Sequence, residues 1–143
     1  MNKMTPEEGK NVKGSDENVA VVLIGHGSTL PYNKDVLVGL QKRLAMRDGF
    51  KGVKVAFMQL NSPSIEEVLR SLAESGIKKI VALPVFVADG EHTTKDIPEK
   101  LDIAFKGEWA DIGKDVELIY AKPMGVDDRI VDILVDRTKE AEK

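Results

Sequence analysis

The sequence predicts an α/β fold: one domain on a four-stranded parallel sheet of order 2-1-3-4, with helices on both faces. Three observations predict it. Short apolar runs of strand length alternate with segments of helical periodicity along the chain. The runs are nearly continuous in hydrophobicity rather than alternating, which marks strands covered on both sides. The length of 143 residues suits a single domain, and parallel strands joined through helices require right-handed crossovers.

The first strand begins at Val19, where VAVVLIGHGS is apolar almost without a break until it meets a glycine pair. Asn33 can cap a helix whose apolar positions Val36, Leu37, Leu40 and Leu44 follow helical spacing, and Gly49 ends that segment. VKVAFM (53–58) is the second strand. NSPS then offers a cap at Asn61 or Ser62, with Pro63 in the first turn, where its missing N–H is harmless. The helix that follows places Ile65, Val68, Leu69 and Leu72 on one face and stops before Gly76. KIVALPVFV (79–87) reads as the most buried strand. A loop, ADGEHTT, leads from it into a third helix carrying Ile97, Leu101 and Phe105, with Pro98 in its first turn. VELIYA (116–121) is the fourth strand, and the last helix is expected to use Ile130, Val131, Leu134 and Val135 as its apolar face. KGEWADIGK (106–114) is the least patterned stretch and reads as a loop.

Composition narrows the chemistry. Apolar residues make up 42% and charged residues 31%, with no cysteine and only two histidines, His26 and His92. The missing cysteines exclude a disulfide framework, a thiolate zinc site, an iron–sulfur cluster and a cysteine nucleophile. Two histidines are too few for a three-histidine zinc site within one chain. The net charge of −3 supplies no basic stripe for nucleic acid, and no apolar run approaches the roughly 20 residues of a membrane span. Residues 1–18 lack the hydrophobic centre of a signal peptide and read as a polar, mobile extension to a domain spanning 19–143. A cytoplasmic address is the resulting expectation.

The placement of the histidines carries the functional reading. His26 directly follows the first strand and His92 lies shortly after the third. Both therefore sit at the carboxyl edge, where open α/β sheets bind ligands. In the order 2-1-3-4 those strands are neighbours and the winding reverses between them, which opens a crevice flanked by the two imidazoles. The glycines of GHGS resemble the start of a dinucleotide fingerprint, but its third position is Leu30 and no acidic ribose partner ends the second strand at Met58 and Gln59.

LIGHGSTLPYNKD near the start, ALPVFVADGEHTTKDIP in the middle and KPMGVDDRIVDILVDR at the end resemble the small class II tetrapyrrole chelatases. The likeness is greatest to the short, archaeal-type sirohydrochlorin chelatases and runs in order from about Val19 to Arg137. GHGS alone is unspecific; combined with PVFVADGEHTTKDIP it is highly specific. The resemblance implies a chelatase-like domain that inserts Co2+ or Ni2+ into sirohydrochlorin, toward cobalamin or coenzyme F430. It implies that His26 and His92 bind the incoming metal and form the catalytic pair. It also implies that Val87, Ala88, Asp89, Gly90 and Glu91, together with His92, lie against the macrocycle. Ser62 is expected to contact substrate, at a position where the family often has an acidic residue. Some short members carry a histidine-rich insertion after the third helix; residues 106–114 contain no histidine, so a metal store is not expected there. Larger chelatases of this type resemble two such domains facing across a cleft, so this single domain implies a homodimer with the macrocycle at or near its interface.

Two histidines suit that chemistry. A closed four-ligand site would trap the ion, whereas two imidazoles hold Co2+ or Ni2+ with open positions that macrocycle nitrogens can take. The metal is thus a substrate, and no permanently bound cofactor is expected. His26 can also accept a pyrrole proton. Because neutral imidazole binds the metal, activity is expected to fall in acid. Asp89 and Glu91 can orient an imidazole or accept protons, or simply form a solvated acidic loop. The carboxylates of sirohydrochlorin need local positive potential, for which helix N-termini and Lys95, Lys122 and Arg129 are candidates. Ser28, Thr93 and Thr94 can cap helices or bond those carboxylates. Two other classes stay open: a non-enzymatic carrier of Co2+ or Ni2+ using the same pair, and a phosphate-handling enzyme on the GHGS turn with His26 as nucleophile or acid/base.

Overall fold

Every residue of the first strand, β1 (Val19–Gly25), is buried, because β1 lies inside the sheet and is covered on both faces. A computed structural model describes residues 18–47 and 49–143; the polar extension expected over residues 1–18 falls, except for its last residue, outside them. β1 is followed by α1 (Tyr32–Ala45), β2 (Gly52–Phe57), α2 (Ile65–Glu74) and β3 (Lys79–Pro84). Then come α3 (Ile97–Ala104), the short α4 (Ala110–Gly113), β4 (Glu117–Tyr120) and α5 (Asp128–Glu142). All strand pairings are parallel, in the order β2-β1-β3-β4. This is the order predicted, and it puts β1 and β3 side by side, with Ile24 opposite Pro84.

Side chains alternate across the sheet into two cores. On one face Ala20, Val22, Ile24, Ile80 and Ala82 pack against α2 and α3. α2 contributes Ile65, Val68, Leu69 and Leu72, all buried, as its spacing predicts. On the other face Val19, Val21, Leu23 and Val53 form a smaller cluster with Leu44 of α1 and the partly exposed Val81, Leu83 and Val85.

Several local expectations change. Asn33 does not cap α1: the cap position is Pro31, and the Asn33 side chain accepts a bond from the Gly27 N–H at 3.1 Å. α2 starts later than NSPS suggests, with Ser64 as its cap. The Ser64 hydroxyl accepts the Glu67 N–H while the Glu67 carboxylate accepts the Ser64 N–H, a reciprocal capping box. Pro63 lies before that cap rather than inside the helix; its carbonyl instead accepts the Phe57 N–H.

The third helical segment begins earlier than predicted. His92–Asp96 forms a π-helical turn running straight into α3, so the histidine stands on a helix rather than in a loop. Residues 106–114 hold a 3-10 turn (Gly107–Trp109) and α4, with the Arg70 guanidinium over the Trp109 ring. The expected core faces of α1 and α5 fail in part. Of the α1 positions, only Leu37 is buried, and no residue of α5 is.

Candidate metal centre

The turn after β1 is built by close packing. Gly27 has φ +89°, and a Cβ there would overlap the Gln59 carbonyl oxygen, so only glycine fits against the segment after β2. At Gly25 a Cβ would sit 2.6 Å from a Leu37 methyl. Two asparagine side chains complete the turn: Asn33 accepts the Gly27 N–H, and Asn61 accepts the Ser28 N–H at 2.8 Å. With those donors taken by the protein, GHGS offers no open amide cradle at Gly27 and Ser28, which removes the main support for a phosphate site there. The fixed turn brings His26 over the crevice between β1 and β3.

His92 reaches the same point from the π-helical turn. The two Nε2 atoms lie 3.2 Å apart, with ring centroids 4.6 Å apart and ring planes at 68°. The other ring nitrogens are occupied. His26 Nδ1 lies 2.9 Å from the Gly27 carbonyl oxygen, which can only accept, and His92 Nδ1 lies 2.8 Å from Asp96 Oδ2. Those partners assign the ring proton to Nδ1 in both neutral imidazoles. With both rings neutral, both Nε2 atoms face one another as acceptors, and a cation between them, a proton or a metal ion, satisfies both. With metal–imidazole bonds of about 2.1 Å, the 3.2 Å separation corresponds to an angle of about 100° at the ion. That is a normal angle between adjacent ligands.

Asp96, the partner of His92 Nδ1, is the residue of this constellation that sequence reasoning missed. Of the two readings open for Asp89 and Glu91, orienting an imidazole or forming a solvated acidic loop, the structure favours the second: Asp89 accepts the Thr93 hydroxyl at 2.8 Å, and Glu91 is exposed. The signal was the spacing of four between His92 and Asp96 on a helical turn, which sets side chains next to each other. Among the described residues, no group of three or more His, Cys, Asp or Glu side chains is arranged to hold a metal, so the donor set contributed by the chain is the imidazole pair.

The remaining predicted residues surround this point unevenly. Val87, Ala88, Asp89, Gly90 and Glu91 are all exposed on the approach to His92. Thr93 is buried, with its hydroxyl closing that loop onto Asp89 and its oxygen accepting the Gly90 N–H; the Thr94 hydroxyl bonds the Gly90 carbonyl. Ser62 is exposed in the segment that Asn61 ties to the GHGS turn, and neither imidazole hydrogen-bonds to it. The Ser28 hydroxyl accepts the Leu30 N–H in a local turn rather than capping a helix. Arg129 is engaged, forking onto Asp127 at 2.6 and 2.7 Å. That contact holds the Asp127 carboxyl far below the usual range. Lys95 and Lys122 are exposed and, among the described residues, have no acidic partner. Leu30, Leu60 and Val87 add exposed apolar side chains at the same carboxyl edge, and beside His92 a cleft of about 640 Å³ runs between Gln59 and α3.

Comparisons with known proteins agree with this architecture. The CbiX family profile matches residues 20–141. The chain is 41% identical over 140 residues to a sirohydrochlorin cobaltochelatase of Methanopyrus kandleri, covering 86% of this chain and 96% of that protein. It is 43% identical over 127 residues to a sirohydrochlorin cobaltochelatase of Methanosarcina acetivorans, covering 87% and 98%. Among solved structures, the fold is similar to the sirohydrochlorin chelatase SirB from Bacillus subtilis subspecies spizizenii in complex with cobalt. There the TM-score is 0.76 at 23% identity, over 85% of this chain and 50% of that one; this chain thus spans half the length of SirB. It is also similar to a CbiX protein from Marinobacter aquaeolei, with TM-score 0.68 and 24% identity over 86% and 96%. A family match over nearly all the described fold, with these relatives at full length, means that the chain belongs to the CbiX family.

Proposed function

We propose that this protein inserts a divalent metal ion, Co2+ or Ni2+, into sirohydrochlorin, with His26 and His92 as the metal-binding and catalytic pair. The observation that carries the reading is the pair of Nε2 lone pairs converging to 3.2 Å while both Nδ1 atoms are held by acceptors. Such a site attracts a borderline cation, fills only two of its coordination positions and leaves the rest to the incoming macrocycle. The ion is a substrate that passes through.

Insertion exchanges two metal–imidazole bonds for metal–pyrrole bonds and releases two pyrrole protons. As the metal leaves, each Nε2 regains a free lone pair, so His26, held by the Gly27 carbonyl, can accept one of those protons, and the other passes to water at the exposed edge. At His92 the Asp96 carboxylate keeps the ring turned with Nε2 toward the ion. The exposed loop 87–91 and Ser62 are the proposed macrocycle contacts, with Lys95 and Lys122 as partners for its carboxylates. The names of the methanogen relatives support sirohydrochlorin as the tetrapyrrole and cobalt as a metal. The likeness to half the length of a larger chelatase supports a homodimer. No helix among the described residues is long and apolar enough to cross a membrane, and a cytoplasmic enzyme of cobalamin or coenzyme F430 synthesis fits the absence of cysteine.

The test is to mix purified protein with sirohydrochlorin and Co2+ or Ni2+ and follow the tetrapyrrole absorption spectrum. Insertion is expected to exceed the protein-free rate, and His26→Ala and His92→Ala are each expected to lower it about a hundredfold. A rate equal to the protein-free control overturns the enzymatic reading, and metal binding without acceleration identifies a carrier instead. Full activity in both alanine variants overturns the site.

A further inference from the structure

The turn that carries His92 leaves α-helical register at one place, and the sequence supplies a reason. The Ile97 N–H bonds the His92 carbonyl, five residues back, whereas in an α-helix it would bond the Thr93 carbonyl, four residues back. If the wider register continued, the Thr93 carbonyl would take the N–H of residue 98. That residue is Pro98, which has no N–H to give. The Thr93 carbonyl is therefore passed over by its own helix: one donor goes to His92 and the next does not exist.

Its partner comes from another element. The Tyr120 hydroxyl, at the end of β4, donates to the Thr93 carbonyl at 2.8 Å. Tyr120 is itself fixed to the sheet, opposite Ala82 of β3, and packs partly buried against the larger core. Thr93 is 3% exposed, and a buried carbonyl left without a donor is costly. The Thr93 hydroxyl is tied as well, accepting the Gly90 N–H at 2.9 Å and donating to Asp89 at 2.8 Å. Thr93 is thus fastened through its side chain to the loop before the turn and through its carbonyl to the sheet.

We infer that Tyr120 is a positioning residue for the metal site: by holding the Thr93 carbonyl it keeps the turn 92–96 in its wider register and so aims His92 at His26. The inference rests on the imidazole pair being the metal site, as proposed above. Without the hydroxyl, the Thr93 carbonyl recovers the Ile97 N–H, the turn tightens to α-helical register and one residue must leave it. The residues ahead of Ile97 then rotate about the helix axis by about 100°. A rotation of that size removes the 3.2 Å approach of the two Nε2 atoms, so the imidazoles no longer share an ion.

Tyr120→Phe removes one oxygen and keeps the ring in the core, so unchanged far-UV circular dichroism is expected. The register is read from NMR couplings transmitted through the hydrogen bond, between the Ile97 amide nitrogen and the carbonyl carbon that accepts it. The unmodified protein is expected to couple Ile97 to His92, and Tyr120→Phe to couple it to Thr93. Co2+ affinity, by calorimetric titration, is expected to fall at least about tenfold in the variant. Coupling to His92 retained in Tyr120→Phe overturns the inference whatever the affinity does, as does a change of register that leaves the affinity intact. Coupling of Ile97 to Thr93 in the unmodified chain overturns it without any variant. Each of these results leaves metal insertion standing, whereas an unmodified protein that binds no Co2+ overturns the metal-site reading and this inference together.

Discussion

Each imidazole of the site is held at one nitrogen so that the other is left bare. For His26 the holder is the neighbouring Gly27 carbonyl, and for His92 it is the Asp96 carboxylate. The second arrangement can be tested without touching a metal-binding group. In Asp96→Asn the side chain can donate as well as accept, so it no longer dictates which ring nitrogen carries the proton. Affinity for Co2+ is expected to fall about 10–100-fold, measured by calorimetric titration with the circular dichroism unchanged; unaltered affinity would contradict the positioning role. The histidines themselves were legible, because two imidazoles at the ends of adjacent strands share an edge whatever the side-chain details. Asp96 was not, although it lies inside the stretch that carried the family likeness. Asp89 and Glu91 are nearer in sequence, but contact on a helical turn follows a spacing of three or four rather than adjacency.

The π-helical turn that carries His92 is pinned from β4. The Tyr120 hydroxyl donates to the Thr93 carbonyl at 2.8 Å, and burial, with the nearby negative charge of Asp89, pushes its pKa up from 10.0 to about 12. The unfolded chain therefore loses the phenolic proton at lower pH than the native one. The native state binds more protons between those values, so stability falls as pH rises from about 10 toward about 12. Chemical denaturation at about pH 9 and about pH 11 is expected to show this loss, and Tyr120→Phe is expected to lack the part due to the phenol. An identical pH slope in both proteins would refute it. Strands and helices were readable at this scale, but their ends were not. The Ser64 capping box spans four residues and is visible as S-x-x-E, yet Pro63 and the polar residues before it mimic an earlier start. The helical path from His92 into α3 also receives a tertiary bond from Tyr120, which no local pattern announces.

For the whole molecule, the proposed homodimer has a thermodynamic consequence. If the native chain is dimeric, folding is coupled to association, and Tm is expected to rise with protein concentration over about a hundredfold range. A concentration-independent Tm would speak against the dimer. Alternation of apolar runs and helical periods determined by itself the sheet, its parallel direction and the edge on which both histidines stand, because crossover handedness applies to any sequence of that pattern. The order 2-1-3-4 was expected as the common doubly-wound order and is the one the structure has. The tertiary structure alone decided that Asn33 and Asn61 spend their side chains on the GHGS turn, that Asp96 rather than Asp89 bonds His92, and that the apolar face of α5 is left uncovered among the described residues. Periodicity states that a face is apolar; only the arrangement in space states what, if anything, lies against it.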